Sequence, residues 1–203
     1  MRNYRVYVMA GLLLLMVGSA VAQEDYAKVE TSPAFMYIRT PIGGQSFNCA
    51  GGGGTFAYNV TSLVGLAADM GGCHIFGNTL GLANTVSGNQ FTFLFGPRLT
   101  FRSSSKIQPF VEVNLGGDHL SISCENAAVC GNASRGFTAF AMTAGGGLDL
   151  KLNKKFALRL VQAEYMYTRF GNECALAICS QNNSQNSFRL KSGVVIGWGE
   201  GSR

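Results

Sequence analysis

The chain has 203 residues, 47% hydrophobic and only 13% charged, with a formal net charge of +5 and six cysteines. A water-facing surface needs roughly 25–35% charged residues, so there are too few here to coat a soluble globule. Arg2 and Arg5 fall in an N-terminal leader, and the other side chains, 14 basic against 11 acidic, carry +3, too small an excess to imply nucleic acid.

Arg2 and Arg5 precede an apolar run from Val6 to Val17, and Ala20-Val21-Ala22 then supplies the small residues that a signal peptidase requires, with Gln23 as the new N-terminus. This predicts a cleavable signal peptide over residues 1–22 and one domain over residues 23–203. The run is too short for a spanning helix, and nothing after Gln23 offers the ~18 consecutive apolar residues that such a helix needs. If the mature chain lies in a membrane, it crosses as strands.

Eight strands and four hairpins follow in order. The first, about residues 28–38, is the least regular, with Phe35 and Tyr37 outward. The second, about 52–60, places Phe56 and Tyr58 on one face; after a tight turn near 59–62 the third carries Val64, Leu66, Ala68 and Met70 outward and Asp69 inward. In the fourth, Phe91, Phe93, Phe95, Pro97, Leu99 and Phe101 alternate with Gln90, Thr92, Leu94, Gly96, Arg98 and Thr100. Successive side chains of a strand point to opposite faces, so this is a ribbon with one apolar side.

An exit turn at 103–106 leads to the fifth strand, where Ile107, Pro109, Val111, Val113 and Leu115 oppose Gln108, Phe110, Glu112 and Asn114. The sixth sets Phe140, Met142, Leu148 and Leu150 against Ala139, Ala141, Thr143, Gly145, Gly147, Asp149 and Lys151. After a turn at 153–155, Phe156 and Leu158 start the seventh in one phase and Val161, Ala163, Tyr165 and Tyr167 continue in the other, which predicts a β-bulge between 158 and 161. The eighth opposes Phe188, Leu190, Val194, Ile196 and Trp198 to Arg189, Lys191, Gly193 and Gly197.

Alternation alone fits a soluble barrel with its bulky face inside equally well. The opposite face decides for lipid outside: it is largely Gly, Ala, Thr and Asn with isolated charges, which suits the crowded interior of a small barrel better than water. The connections near 60, 104 and 153 are short, and those at 39–51, 72–89, 117–136 and 170–187 are long. Bacterial barrels have short periplasmic turns and long outer loops, so both termini are expected in the periplasm.

The segment Phe91-Thr-Phe-Leu-Phe-Gly-Pro-Arg98, the Gly145-Gly-Gly-Leu-Asp149 strand, Gln162-Ala-Glu-Tyr165 through Arg169-Phe170, and Asn186-Ser-Phe-Arg189 resemble the small outer-membrane β-barrels of the OmpA transmembrane-domain and opacity-protein type. The resemblance covers nearly all of the mature chain. It implies an all-β, transmembrane, up-and-down antiparallel barrel of eight strands in the bacterial outer membrane. The partners it implies are outer-membrane lipid, lipopolysaccharide included, and the barrel-assembly machinery. That machinery reads a terminal aromatic, here Trp198, which five further residues follow. Phe91, Phe93, Phe95, Leu99, Phe140, Met142, Leu148, Leu150, Leu190, Val194, Ile196 and Trp198 are the expected lipid-facing side chains.

Charges on the inward face are Asp69, Glu112, Asp149 and Glu164 against Arg98, Lys151, Arg159, Arg189 and Lys191. An isolated buried charge is costly, so these are expected to pair across the lumen. An eight-stranded barrel is just wide enough for its own side chains, which favours a structural plug over a narrow passive pore.

Cys49, Cys73, Cys124, Cys130, Cys174 and Cys179 all fall in the four long connections or at their mouths, a clustering that predicts disulfides in an oxidising compartment. Cys49 and Cys73 are equidistant from residue 61, inside the turn between strands two and three, and are expected to face each other across that hairpin. Cys124 with Cys130 and Cys174 with Cys179 then close small loops. There is no Cys-x-x-Cys pair to favour zinc.

His119-Leu120-Ser121, with Asp118 and Glu125 nearby, is similar to the His-x-Ser element of lipid A deacylases, which makes a lipid A-modifying acyl hydrolase the second alternative to a non-enzymatic protein. Gly51–Gly54 and Gly145–Gly147 lack the following helix or Gly-Lys-Ser/Thr of a phosphate loop and mark places where strands crowd or bend. The expected function is non-enzymatic, without cofactor or metal: a barrel that supports the envelope or presents its loops, whose ligand the sequence does not name.

Overall fold

In an antiparallel sheet the register of each pair decides which side chains share a face, and here the registers shift only where one strand is bulged. The computed structural model describes residues 26–42, 45–76, 86–102, 106–124, 134–170 and 184–201. The predicted leader lies outside the described residues, as do Cys130, Cys174 and Cys179. Those described form β1 (Ala27–Ile42), β2 (Gln45–Asn59), β3 (Val64–Phe76), β4 (Val86–Thr100), β5 (Ile107–Cys124), β6 (Ser134–Lys151), β7 (Phe156–Phe170) and β8 (Ser184–Glu200). Each is antiparallel to its sequence neighbour, and β8 pairs with β1 to close the barrel.

Following hydrogen-bonded partners around the wall runs from Asn59 through Gly65, Arg98, Glu112, Gly145, Glu164 and Arg189 to Ile38. The β1–β2 register sets Asn59 opposite position 28, so the row returns ten residues higher on β1. This stagger tilts the strands by about 40°. The tilted backbones coil closely where side chains are absent: a Cβ on Gly145 would lie 2.2 Å from the Ala163 carbonyl oxygen, and one on Gly51 2.1 Å from that of Gly72.

The bulge falls at Leu160. Asp149 pairs with Arg159 and Leu148 with Val161, so Leu160 is the extra residue, and it and Val161 both face outward. That phase change keeps Arg159 and Gln162 both inside the barrel.

Several boundaries differ from the sequence reading. The strands run on into the segments read as long connections: β1 ends at Ile42 and β2 begins at Gln45, so 39–51 is a two-residue connection flanked by strand. Past the apolar band the outward side chains turn polar or small, so the apolar-outward alternation that reveals a strand within the band stops. The longer connections are residues 77–85, 125–133 and 171–183, all at the end opposite the termini. Cys49 and Cys73 accordingly lie inside β2 and β3, and Cys124 is the last residue of β5.

All twelve side chains expected to face lipid sit on the outer wall, exposed or half-buried. The apolar run on that wall is nine residues on β4, from Phe91 to Leu99, within the ~9–11 that a tilted strand needs to cross a bilayer. At about 3.3 Å per residue and that tilt, the band is about 23 Å tall. Its loop-end limit is abrupt. The first outward polar side chains past it are Arg39, Asn48, His74, Asn89, His119, Thr138, Arg169 and Asn186, one per strand. Several are bonded to neighbours: Tyr37 Oη donates to Asn48 Oδ1 (2.7 Å), Tyr165 Oη donates to Asn186 Oδ1 (2.6 Å), and His74 and His119 meet Asn89 and Thr138 at 3.0 Å.

Candidate functional site

Inward positions are odd-numbered on β2, β3, β6 and β8 and even-numbered on β1, β4 and β5, while β7 changes from odd to even at its bulge. The result is a lumen filled in layers. Nearest the termini, Arg102 donates to Glu30 at 2.7 Å, and Asn59 bonds both Glu30 Oε1 (2.9 Å) and the Ala27 carbonyl oxygen (2.7 Å). Lys151, expected inside, stands half-buried at this mouth beside Arg102 and Lys155.

The next layer is built on Asp149. Its carboxylate takes Arg159 Nε and Nη2 at 2.9 and 3.0 Å and Arg98 Nη2 at 3.3 Å. Phe110 lies against both guanidiniums, its ring centroid 3.9 Å from Arg98 Cζ and 4.5 Å from Arg159 Cζ, a contact strengthened by desolvation. Arg159 also donates to Gln162 Oε1 (2.8 Å), and Gln162 donates in turn to Glu112 Oε1 (2.6 Å), which Asn114 reaches at 3.2 Å.

Above it, Asp69 binds Lys191 and Arg189 (2.9 Å for the latter) and accepts from Thr55 Oγ1 (2.9 Å). Glu164 takes Arg189 at 2.7 Å and Lys191 at 3.5 Å. Asp69, Glu112, Asp149 and Glu164 thus face Arg98, Arg159, Arg189 and Lys191, all buried, and the charges balance. A buried ion is tolerated only when its partners and hydrogen bonds are in place; here each charge has an opposite one within 4.0 Å.

The network is then sealed by an apolar layer of Met36, Ile38, Leu94, Ala141 and Met166 that includes the Cys49–Cys73 disulfide. The bond exists, but not where the spacing put it. Cys49 lies opposite Ile75 and Cys73 opposite Gly51, so the hairpin centres on Ser62 and the pair is diagonal, with Cα atoms 5.5 Å apart. Both cysteines point into the lumen, where they are almost fully buried. Past this layer Gln90 donates to Asp118 (2.8 Å) and Thr40 meets Ser187 (2.7 Å), and Leu120, Ala139 and Phe170 form a second apolar cluster.

The His119 and Ser121 side chains face outward while Asp118 is buried in the lumen. The wall separates them, so Asp118 cannot orient His119 as a triad acid would; the ring bonds Thr138 instead. Glu125 lies outside the described residues. Sequence reading missed Glu30 and Arg102, which sit beyond its regular alternation, and did not anticipate Gln162 as the bridge between Arg159 and Glu112. Shifting the inward parity by one at the bulge, from Arg159 to Gln162, finds it.

A closed eight-stranded barrel with an apolar outer band and a lumen filled largely by paired charges defines the class of small membrane-type β-barrels. The family model for the outer membrane protein beta-barrel domain matches residues 10–198, and the chain belongs to that family. Among solved structures it is similar to Neisserial surface protein A, at 12% identity and TM-score 0.61 over 85% of this chain and 98% of that one. It is also similar to Ail, the attachment invasion locus protein of Yersinia pestis, at 13% identity and TM-score 0.53 over 84% and 99%. No curated protein matches by sequence.

Proposed function

We propose that this protein is an integral, non-conducting outer-membrane barrel, non-enzymatic, that supports the envelope and presents its loop end to the outside. The observation that carries this reading is the filled lumen: balanced ion pairs closed off by an apolar layer and a buried cystine. The apolar band, about 23 Å tall and ending in a polar ring on every strand, supports placement across a bilayer. Three longer connections at one end, against both termini and the turns 60–63 and 152–155 at the other, support periplasmic termini and external loops. Outer-membrane lipid and the assembly machinery, engaged through Trp198, are the partners this reading requires.

Planar-bilayer recording tests it. A purified barrel that shifts in gel mobility on boiling should give no sustained channel, whereas steady unitary currents would replace the plug with a pore. Recovery in the soluble fraction without detergent would end the membrane reading altogether.

A further inference from the structure

The terminal mouth of the lumen is packed less tightly than the layers above it. A recess of about 50 Å³ lies there, room for about three waters or for one carboxylate group. It is bounded by the ends of β4, β6 and β8 and the starts of β1, β5 and β7.

The charges around it are uneven. Two carboxylates line the recess, and both are engaged within the protein: Asp149 by Arg98 and Arg159, Glu30 by Arg102 and Asn59. Beyond those groups the lining adds Lys151, Lys154 and Lys155 and, among the described residues, no further acid. The recess therefore offers a positive potential, which low-dielectric walls concentrate.

One buried side chain calls for a ligand. Thr100 lines the recess, is only 3% exposed, and its hydroxyl has no hydrogen-bond partner. A hydroxyl buried in that way is costly, and an oxygen acceptor seated in the recess would satisfy it. The remaining lining is apolar carbon from Ala157, Val195 and the Tyr26 ring, which stands 5.5 Å from Arg102 Cζ.

We infer that this mouth binds a carboxylate of the class that ends a short peptide with small apolar side chains. Thr100 donates one hydrogen bond to it, Lys155 at the rim pairs with its charge, and Ala157 and Val195 cover the methyl beside it. A phosphate carries more charge and no apolar arm, so it would leave that half of the recess uncovered. The site goes beyond the envelope role; only its compartment, the periplasm, rests on the membrane reading above.

The test uses the whole barrel in detergent micelles, its shift on boiling checked first, titrated calorimetrically with acetyl-alanyl-alanine, the C-terminal amide of that peptide, or inorganic phosphate. The peptide acid should bind about tenfold more tightly than either of the others. Thr100→Val keeps the shape, removes the hydroxyl and should weaken binding about fivefold; Lys155→Gln should weaken it about threefold. Lys106→Gln, exposed at the same end but outside the recess, should bind as the wild type does. Equal affinity for acid and amide, tighter binding of phosphate, or full affinity in both Thr100→Val and Lys155→Gln would overturn the site. So would binding seen only after Glu24→Gln/Asp25→Asn, because those acids directly precede Tyr26 and the recess would then belong to the chain's own segment. A chain that does not shift on boiling would refute the barrel reading instead.

Discussion

Replacing Asp149 by Asn changes one charge and almost no volume, and it isolates what the lumen network contributes. The carboxylate holds three guanidinium nitrogens of two arginines, at 2.9, 3.0 and 3.3 Å, and both arginines are packed on Phe110 with no more than 1% of their surface exposed. Neutralised, it leaves Arg98 and Arg159 with one carboxylate in that layer, Glu112, whose Oε2 is 4.0 Å from Arg98 Nε. Removing one partner of a buried pair costs about 3–5 kcal/mol, because the other charge stays buried without compensation. Equilibrium urea unfolding in lipid vesicles, followed by the emission of the single tryptophan, Trp198, should show a loss of that size. Adding Arg98→Gln restores the charge balance and should recover at least half of it. A loss under about 1 kcal/mol, with no recovery in the double variant, would mean that water screens the lumen charges, and the argument for a sealed plug would be refuted.

Other consequences follow from the wall and the cystine. The Cys49–Cys73 disulfide closes a loop of sequence separation 24, and Cys49→Ala/Cys73→Ala should lower stability by about 3.5 kcal/mol on the chain-entropy model, read from the same urea curves. Because both sulfurs are sealed in the lumen, a water-soluble reductant followed by a maleimide should label the native barrel far more slowly than the urea-unfolded chain; equal rates would place the bond in contact with solvent. Deleting Leu160 should leave a barrel that still shifts on boiling, since Arg159 and Val161 then continue in simple alternation against Asp149 and Leu148. Deleting Ala163 flips the remainder of β7 to the wrong face and should abolish the shift. Ser121→Ala should leave release of fatty acid from labelled lipopolysaccharide unchanged, and a specific loss of such activity would revive the hydrolase alternative.

What could be read in the chain and what could not divides along one physical line. Inside the apolar band each strand has lipid on one face and lumen on the other, so Phe91 to Leu99 or Ile107 to Leu115 declare both strand and orientation through local alternation. Even the bulge in β7 was visible as a break in phase. Beyond the band, β5 from His119 to Cys124 and β2 from Gln45 to Asn48 carry polar or small residues outward, and strand there looks like loop. Cys49 and Cys73 therefore lie inside strands where the sequence reads as connection.

The amino-acid sequence by itself determined eight amphipathic strands, the side of each that bears the charges, and the pairing of Cys49 with Cys73. Only closure of the barrel decided that Asp149 meets both Arg98 and Arg159, that Glu164 and Asp69 share Arg189 and Lys191, and that the cystine belongs to the plug. Side-chain direction along a strand has a period of two residues and is legible locally. Which inward side chains meet depends on the ten-residue stagger accumulated around eight strands, a property no single segment carries.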